Sequence, residues 1–289
     1  MKVTVKAYAK INLMIDILST LPNGYHDLFM IMQSVGIYDR VTVSRTDSKD
    51  IEITCTKAGV PTDEKNIVHK AAMKFFADTG TENTGIAIHI EKNIPQAAGL
   101  AGGSADGAAA LVALNELFGT GLSQKEMAQI GGKIGADVPF CIMGGTMAAQ
   151  YTGTVLSFLP DLEINNIVIV KPKQDVSTGE AYAAFDSAER VRHLDTRGML
   201  MAAATGDEKG VFDRVDNVFE QFIDVPDRVV IKSIMRKHGC ECCCMSGSGP
   251  SVFGIFEKRE NAEKCLAELK KSFDEVYLCS SVDKGCETE

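Results

Sequence analysis

Apolar and polar positions alternate with a period of two through the first sixty residues, in VTVKAYA (3–9), INLMIDIL (11–18), FMIMQSVGI (29–37) and VTVSR (41–45). Such alternation gives an extended chain one buried face and predicts strands, punctuated here by LPNGYHD and by Asp39-Arg40. The period then lengthens. Residues 66–77 carry apolar side chains at helical spacing, with Thr62 or Asp63 upstream as candidate caps. GIAIHIE (85–91) returns to alternation, and two further helices are predicted over 104–118 and 123–134. Ser123 with Glu126 three residues on has capping-box spacing. GADVPF (135–140) and MGGTMAAQYTGTVLSFLP (143–160) read as a glycine-rich bend and a hairpin.

Pro160 breaks the chain, and a second unit follows. NNIVIVKP (165–172) reads as a strand, 178–206 as mostly helical, and DRVVIKSIMRKHG (227–239) as an amphipathic helix. CCCMSGSGPSVFGIF (242–256) reads as two strands around a glycine turn, AEKCLAELKKSF (262–273) as a helix and EVYLCSS (275–281) as a last strand. With no internal repeat or long linker, these two compact halves of mixed strands and helices define an α+β class.

Composition narrows the function classes. The chain has 289 residues, 45% hydrophobic and 24% charged, enough for two domains of moderate size. No stretch approaches the ~18 consecutive apolar residues of a membrane helix. The N-terminus lacks the pattern of a secretory or transit signal, so the expected compartment is the cytoplasm and no membrane partner is expected. The net charge of −9, with no basic stripe, argues against nucleic acid but leaves room for a small anionic ligand. Seven of the nine cysteines fall from Cys240 onward. HGCECCC (238–244) lacks two separated ligand pairs, so buried reduced thiols are expected there rather than a metal.

Five segments could carry chemistry. In IPQAAGLAGGSADGAAAL (94–111), glycines allow close backbone approach while the following helix aims free N–H groups at the same point. It fits neither the Walker pattern nor GxGxxG, and alone it reads equally as a phosphate cradle or a flexible helix start. Asp137 in GADVPF is a candidate general base or metal ligand, or simply a helix cap. Lys10 and Asn12 share one strand face, where Lys10 is either an edge-protecting charge or an inward partner for Asp137. Tyr25 and His26 follow an Asn-Gly turn and offer an aromatic platform beside an imidazole, or a solvated loop. SGSG (246–249) is a tight turn between strands.

Together and in this order, KINL, PQAAGLAGGSA and SGSGPSVF resemble the GHMP kinase superfamily of galactokinase, homoserine kinase, mevalonate kinase and phosphomevalonate kinase. The resemblance spans residue 8 to about residue 256. It implies a two-domain GHMP kinase fold. An ATP-binding domain over 1–158 would resemble ribosomal protein S5 domain 2, a ferredoxin-like domain would cover 159–289, and the active site would lie between them. AKINL, NGYHDL and GADVPF are similar to the branch that phosphorylates the 2-hydroxyl of a cytidine diphospho-methylerythritol with ATP and Mg²⁺.

The same resemblance assigns Asp137 as base with Lys10 as its partner, a cation that favours the ionised carboxylate. It puts Asn12 on the polyol, Tyr25 and His26 on the cytosine, and Tyr182 as a second aromatic, with Phe185 close enough to be confused with it. Gly99, Leu100, Ala101, Gly102, Gly103 and Ser104 would cradle phosphate, and Ser246, Gly247, Ser248 and Gly249 would form a second wall. The Mg²⁺ ligands are left unassigned, with Asp106 a candidate, and Lys65-Asn66 and Lys92-Asn93 are considered for adenine. A monomer or homodimer is expected. Two departures stand out: Ala101 replaces a loop glycine, needing a negative φ or tolerating strain, and Ala105 replaces a second hydroxyl residue. A sister kinase for a mevalonate- or homoserine-type ligand, or a non-catalytic nucleotide binder, is the alternative.

Overall fold

The computed structural model describes all residues, 1–289. The four expected N-terminal strands fuse into two long ones, β1 (Lys2–Thr20) and β2 (His26–Arg45), paired as an antiparallel hairpin. The reason lies in burial. Up to Ala9 only alternate β1 residues are buried, whereas Lys10 to Ile17 is buried on both faces. Register shifts at Tyr8/Ala9, Asn12/Met14 and Ile17/Ser19 re-aim the side chains between these regimes. The simple two-residue period therefore breaks where the strand does not.

β3 (Ile51–Cys55) pairs parallel to β4 (Ile86–Glu91), and β4 pairs antiparallel to the second half of β2. The linking helix α1 (Ile67–Thr79) is capped by Asn66, whose side chain accepts from Val68 N–H, and not by Thr62 or Asp63. α2 (Gly102–Phe118) packs on β1, β2 and α1, burying the alanine run that allows close helix–sheet approach. α3 (Gln124–Gly132) starts with the expected Ser123–Glu126 capping box, and the short α4 (Val138–Met143) follows. The hairpin of β5 (Thr146–Tyr151) and β6 (Val155–Phe158) extends the sheet from the first half of β2.

The second sheet is built from β7 (Ile167–Lys171) together with three later strands. After β7 come α5 (Thr178–Asp186), α6 (Thr196–Thr205), α7 (Glu208–Phe212) and β8 (Asp216–Asn217). Then follow α8 (Pro226–Lys237), β9 (Cys242–Met245), β10 (Val252–Ile255), α9 (Arg259–Leu269), β11 (Glu275–Cys279) and β12 (Cys286–Thr288). The sheet order β11-β7-β10-β9, all antiparallel, with α8 and α9 as the crossovers, is ferredoxin-like. Alternation along β7 explains its two-sided burial. Val168 and Val170 meet Ile231, Met235 and Leu269 under the helices, while Ile167 and Ile169 join the large core shared with the first sheet. β8 and β12 do not stay with this sheet; both pair with β1.

Candidate active site

Lys10 lies at the change of burial regime on β1, so its ammonium is enclosed rather than solvated. It donates to Asn12 Oδ1 at 2.7 Å and lies 3.8 Å from Asp137 Oδ2. Asp137 occupies the N-cap position of α4, yet its side chain makes no capping bond, so the carboxylate is left for other work. Asn12 is fully buried; its amide nitrogen faces Met30 Sδ at 3.4 Å.

The glycine loop is fastened to this strand by its backbone. Lys10 N–H donates to the Leu100 carbonyl at 3.1 Å. Gly99 has φ +71°, and a Cβ there would fall 2.1 Å from the Ser246 carbonyl, so no other residue fits. Ala101 adopts φ +57°, so the alanine is accommodated with left-handed strain. No side chain caps α2, which leaves its first N–H groups free to face an anion. A Cβ on Gly103 would meet nothing nearer than Ile67 Cγ2 at 4.0 Å, so the space over the helix start is open.

Beneath the loop sits a buried charge cluster. Lys92 Nζ bonds Asp39 Oδ2 at 2.5 Å and Asp106 Oδ2 at 2.6 Å, and Asp106 Oδ1 is buried without a partner. Burial pushes the Asp106 carboxyl well above the usual carboxylate range, against the pull of Lys92. Burial also draws the Lys92 ammonium down, but the two carboxylates outweigh it and raise it. Lys92 and Asn66 are thereby committed to structural bonds, Asn66 also donating to the Pro61 carbonyl at 2.6 Å.

At the other end, the His26 ring stacks on Tyr182, with centroids 4.7 Å apart and planes at 25°. Tyr182 keeps its proton, its pKa pushed up to about 12 by burial and secondarily by the Asp137 charge. Phe185 meets His26 edge-on at 5.8 Å and packs behind it on Phe222. Tyr25 stands exposed beside them.

These features share one cleft of about 1240 Å³, walled by both sheets' connections. Lys10, Asn12, Tyr25, His26, the residues 99–104, Asp137, Tyr182 and 247–249 all line it. Ser246 does not. It is fully buried behind the turn, where its hydroxyl accepts from Asn12 N–H at 3.2 Å and donates to the Gly99 carbonyl at 2.9 Å. Ser246 thus joins the two glycine turns and leaves the wall itself to its three neighbours. Two residues outside every sequence motif brace that turn. Asn217 Nδ2 donates to the Met245 and Gly247 carbonyls at 2.7 and 2.8 Å, and Glu220 Oε1 accepts from Met245 N–H at 2.7 Å. The DNVFE run (216–220), polar and apolar without a period, was the available signal.

The family models described as GHMP kinases N terminal domain and GHMP kinases C terminal match residues 66–145 and 227–275. A 4-diphosphocytidyl-2-C-methyl-D-erythritol kinase of Clostridium acetobutylicum is 41% identical over 280 residues, covering 96% of this chain and 99% of its own. A crystal structure of 4-(cytidine 5'-diphospho)-2C-methyl-D-erythritol kinase matches with a TM-score of 0.80 and 27% identity, covering 96% and 98%. A homoserine kinase from Cytophaga hutchinsonii shares the fold at TM-score 0.80 and 22% identity, covering 100% and 97%. Fold and sequence together make this chain a GHMP kinase. Within that superfamily it belongs to the 4-diphosphocytidyl-2-C-methyl-D-erythritol kinase family.

Proposed function

We propose that this chain transfers the γ-phosphoryl group of ATP to the 2-hydroxyl of 4-diphosphocytidyl-2-C-methyl-D-erythritol, a step in the non-mevalonate route to isoprenoid precursors. One observation carries the reading. The Lys10–Asp137 pair and the open start of α2 line the same cleft as the His26–Tyr182 stack. An acceptor that carries its attacking hydroxyl at one end and a flat base at the other needs both of those places.

Asp137 accepts the hydroxyl proton as the oxygen attacks the γ-phosphorus and the bond to ADP breaks. Lys10 holds the carboxylate in place and offsets the charge that develops on the transferring group. The free N–H groups at the start of α2, with the backbone of residues 247–249, receive the phosphates. Asn12, gripped by Lys10, presents its amide to the polyol. Tyr25 stacks on the cytosine while His26 meets its edge.

The residues present also fit a phosphate-bound Mg²⁺. Asp106 Oδ1 is an unused buried oxygen two residues after the Ser104 hydroxyl, and no trio of His, Cys, Asp or Glu side chains forms a protein-made cage. Ser104 and Asp106 would hold the ion, which supplies positive charge against the phosphate oxygens when bound. All nine cysteines are free thiols.

The test is coupled ADP release with four acceptors: the cytidine diphospho-methylerythritol, mevalonate, phosphomevalonate and homoserine. Turnover with the cytidine compound alone is expected. Turnover with homoserine or mevalonate in its place would refute the assignment. The homoserine kinase likeness rests on fold only, and the Tyr25-His26 platform suits an acceptor that carries a base.

A further inference from the structure

One helix grips the His26 ring from three directions. Tyr182, Phe185 and Asp186 stand three and four residues apart on α5, so they project together from one side of it. Tyr182 covers a face of the imidazole, Phe185 meets it edge-on, and Asp186 Oδ1 lies 2.7 Å from Nε2. The ring itself is 10% exposed, while Asp186 is half-exposed. A carboxylate only accepts hydrogen bonds, so Nε2 must carry the proton. In the neutral ring the remaining nitrogen, Nδ1, is then a lone-pair acceptor, and it has no partner within the protein.

We propose that Asp186 is a positioning residue for base selection: by holding the proton on His26 Nε2, it makes Nδ1 an acceptor that favours an amino-bearing pyrimidine over a keto-bearing one. The inference rests on the reading of His26 as the contact to the base edge. Cytosine offers an exocyclic amino donor at position 4, which such an acceptor satisfies. Uracil offers a carbonyl oxygen there, and two lone pairs would face each other in a partly dry site. The alternative tautomer, with the proton on Nδ1, would reverse the preference. Residue 186 thus selects the base without touching it.

Asp186→Asn tests this. The amide keeps the shape but can donate to Nε2, which releases the proton to Nδ1. Kinetics would be measured with the cytidine substrate and its uridine counterpart. Expected are a cytidine KM raised on the order of tenfold, a kcat changed less than about twofold, and a cytidine-over-uridine preference in kcat/KM reduced on the order of 10- to 100-fold. Nitrogen-15 spectra of the imidazole give a second readout, with the proton on Nε2 in the parent protein and on both nitrogens, as a mixture, in the variant. A proton already on Nδ1 in the parent, or an unchanged base preference in the variant, would overturn the proposal. If His26→Ala leaves the cytidine KM unaltered, the reading of His26 fails instead, and the spectra still report whether Asp186 sets the tautomer.

Discussion

Asp137 and Gly103 illustrate opposite demands on single residues. Asp137 gives up a capping bond at the start of α4 and keeps an ionic neighbour at 3.8 Å instead. Asp137→Asn keeps its volume and loses its basicity. Turnover is expected to fall about 10²- to 10⁴-fold in steady-state assays with the ATP dissociation constant unchanged; full turnover would remove Asp137 from the base role. Gly103 is exposed in the first turn of α2 with open space before it. Gly103→Ala adds a methyl where phosphate is received, yet suits a helix better by up to about 1 kcal/mol. The melting temperature should hold or rise while the KM for ATP increases on the order of tenfold. Loss of stability together with KM would mean that the glycine serves the fold alone.

Among the elements, β12 carries an ionic anchor at the edge of a sheet. It adds only three residues to the edge of β1, with Val5 to Ala7 as partners. Glu287 within it is held at a pKa of about 2, first by the Lys284 hydrogen bond and then by that of Tyr8. A carboxylate depressed on folding contributes stability above its ordinary value of 4.5 and loses it as pH falls toward 2. Amide exchange across β12 should therefore accelerate as pH is lowered through that window, relative to β7, once the intrinsic pH dependence is subtracted. Glu287→Gln should remove the dependence, and an identical profile in the variant would show that another group controls the edge.

Over the whole molecule, the cleft depends on a join between two glycine turns that are 147 residues apart in the chain. The Ser246 hydroxyl bridges Asn12 N–H and the Gly99 carbonyl, 234 and 147 residues away. Asn217 and Glu220 hold the same turn from behind. Ser246→Ala leaves the buried Asn12 N–H unpaired, at a cost of about 1–3 kcal/mol, and releases the partly buried Gly99 carbonyl. A melting temperature lower by several degrees is expected, with higher KM for both substrates and a smaller change in kcat. Ser246→Thr, which restores the hydroxyl, should recover part of each. A Ser246→Ala protein with unaltered KM values would show that the join does not shape the site.

Periodicity, turn residues and the glycine-rich motifs of the sequence by themselves determined the α+β class, the capping box at Ser123 and the paired strands around SGSG, and they marked the loop at 99–104, Lys10, Asp137 and the Tyr25-His26 turn as candidates for the cleft. Those signals are local: a two-residue or 3.6-residue repeat, or a backbone that only glycine relieves, is written within ten neighbouring positions. What only the tertiary structure decided was set by packing between distant segments. Two-sided burial merged four apparent strands into two, and it enclosed Lys10 beside Asp137. It drew Ser246 off the cleft wall, brought Asp186 to His26 across 160 residues, and committed Lys92 to two carboxylates. A side chain's partner is chosen by the space and unpaired bonds left around it once the chain has folded, and no pattern of neighbours along the sequence carries that information.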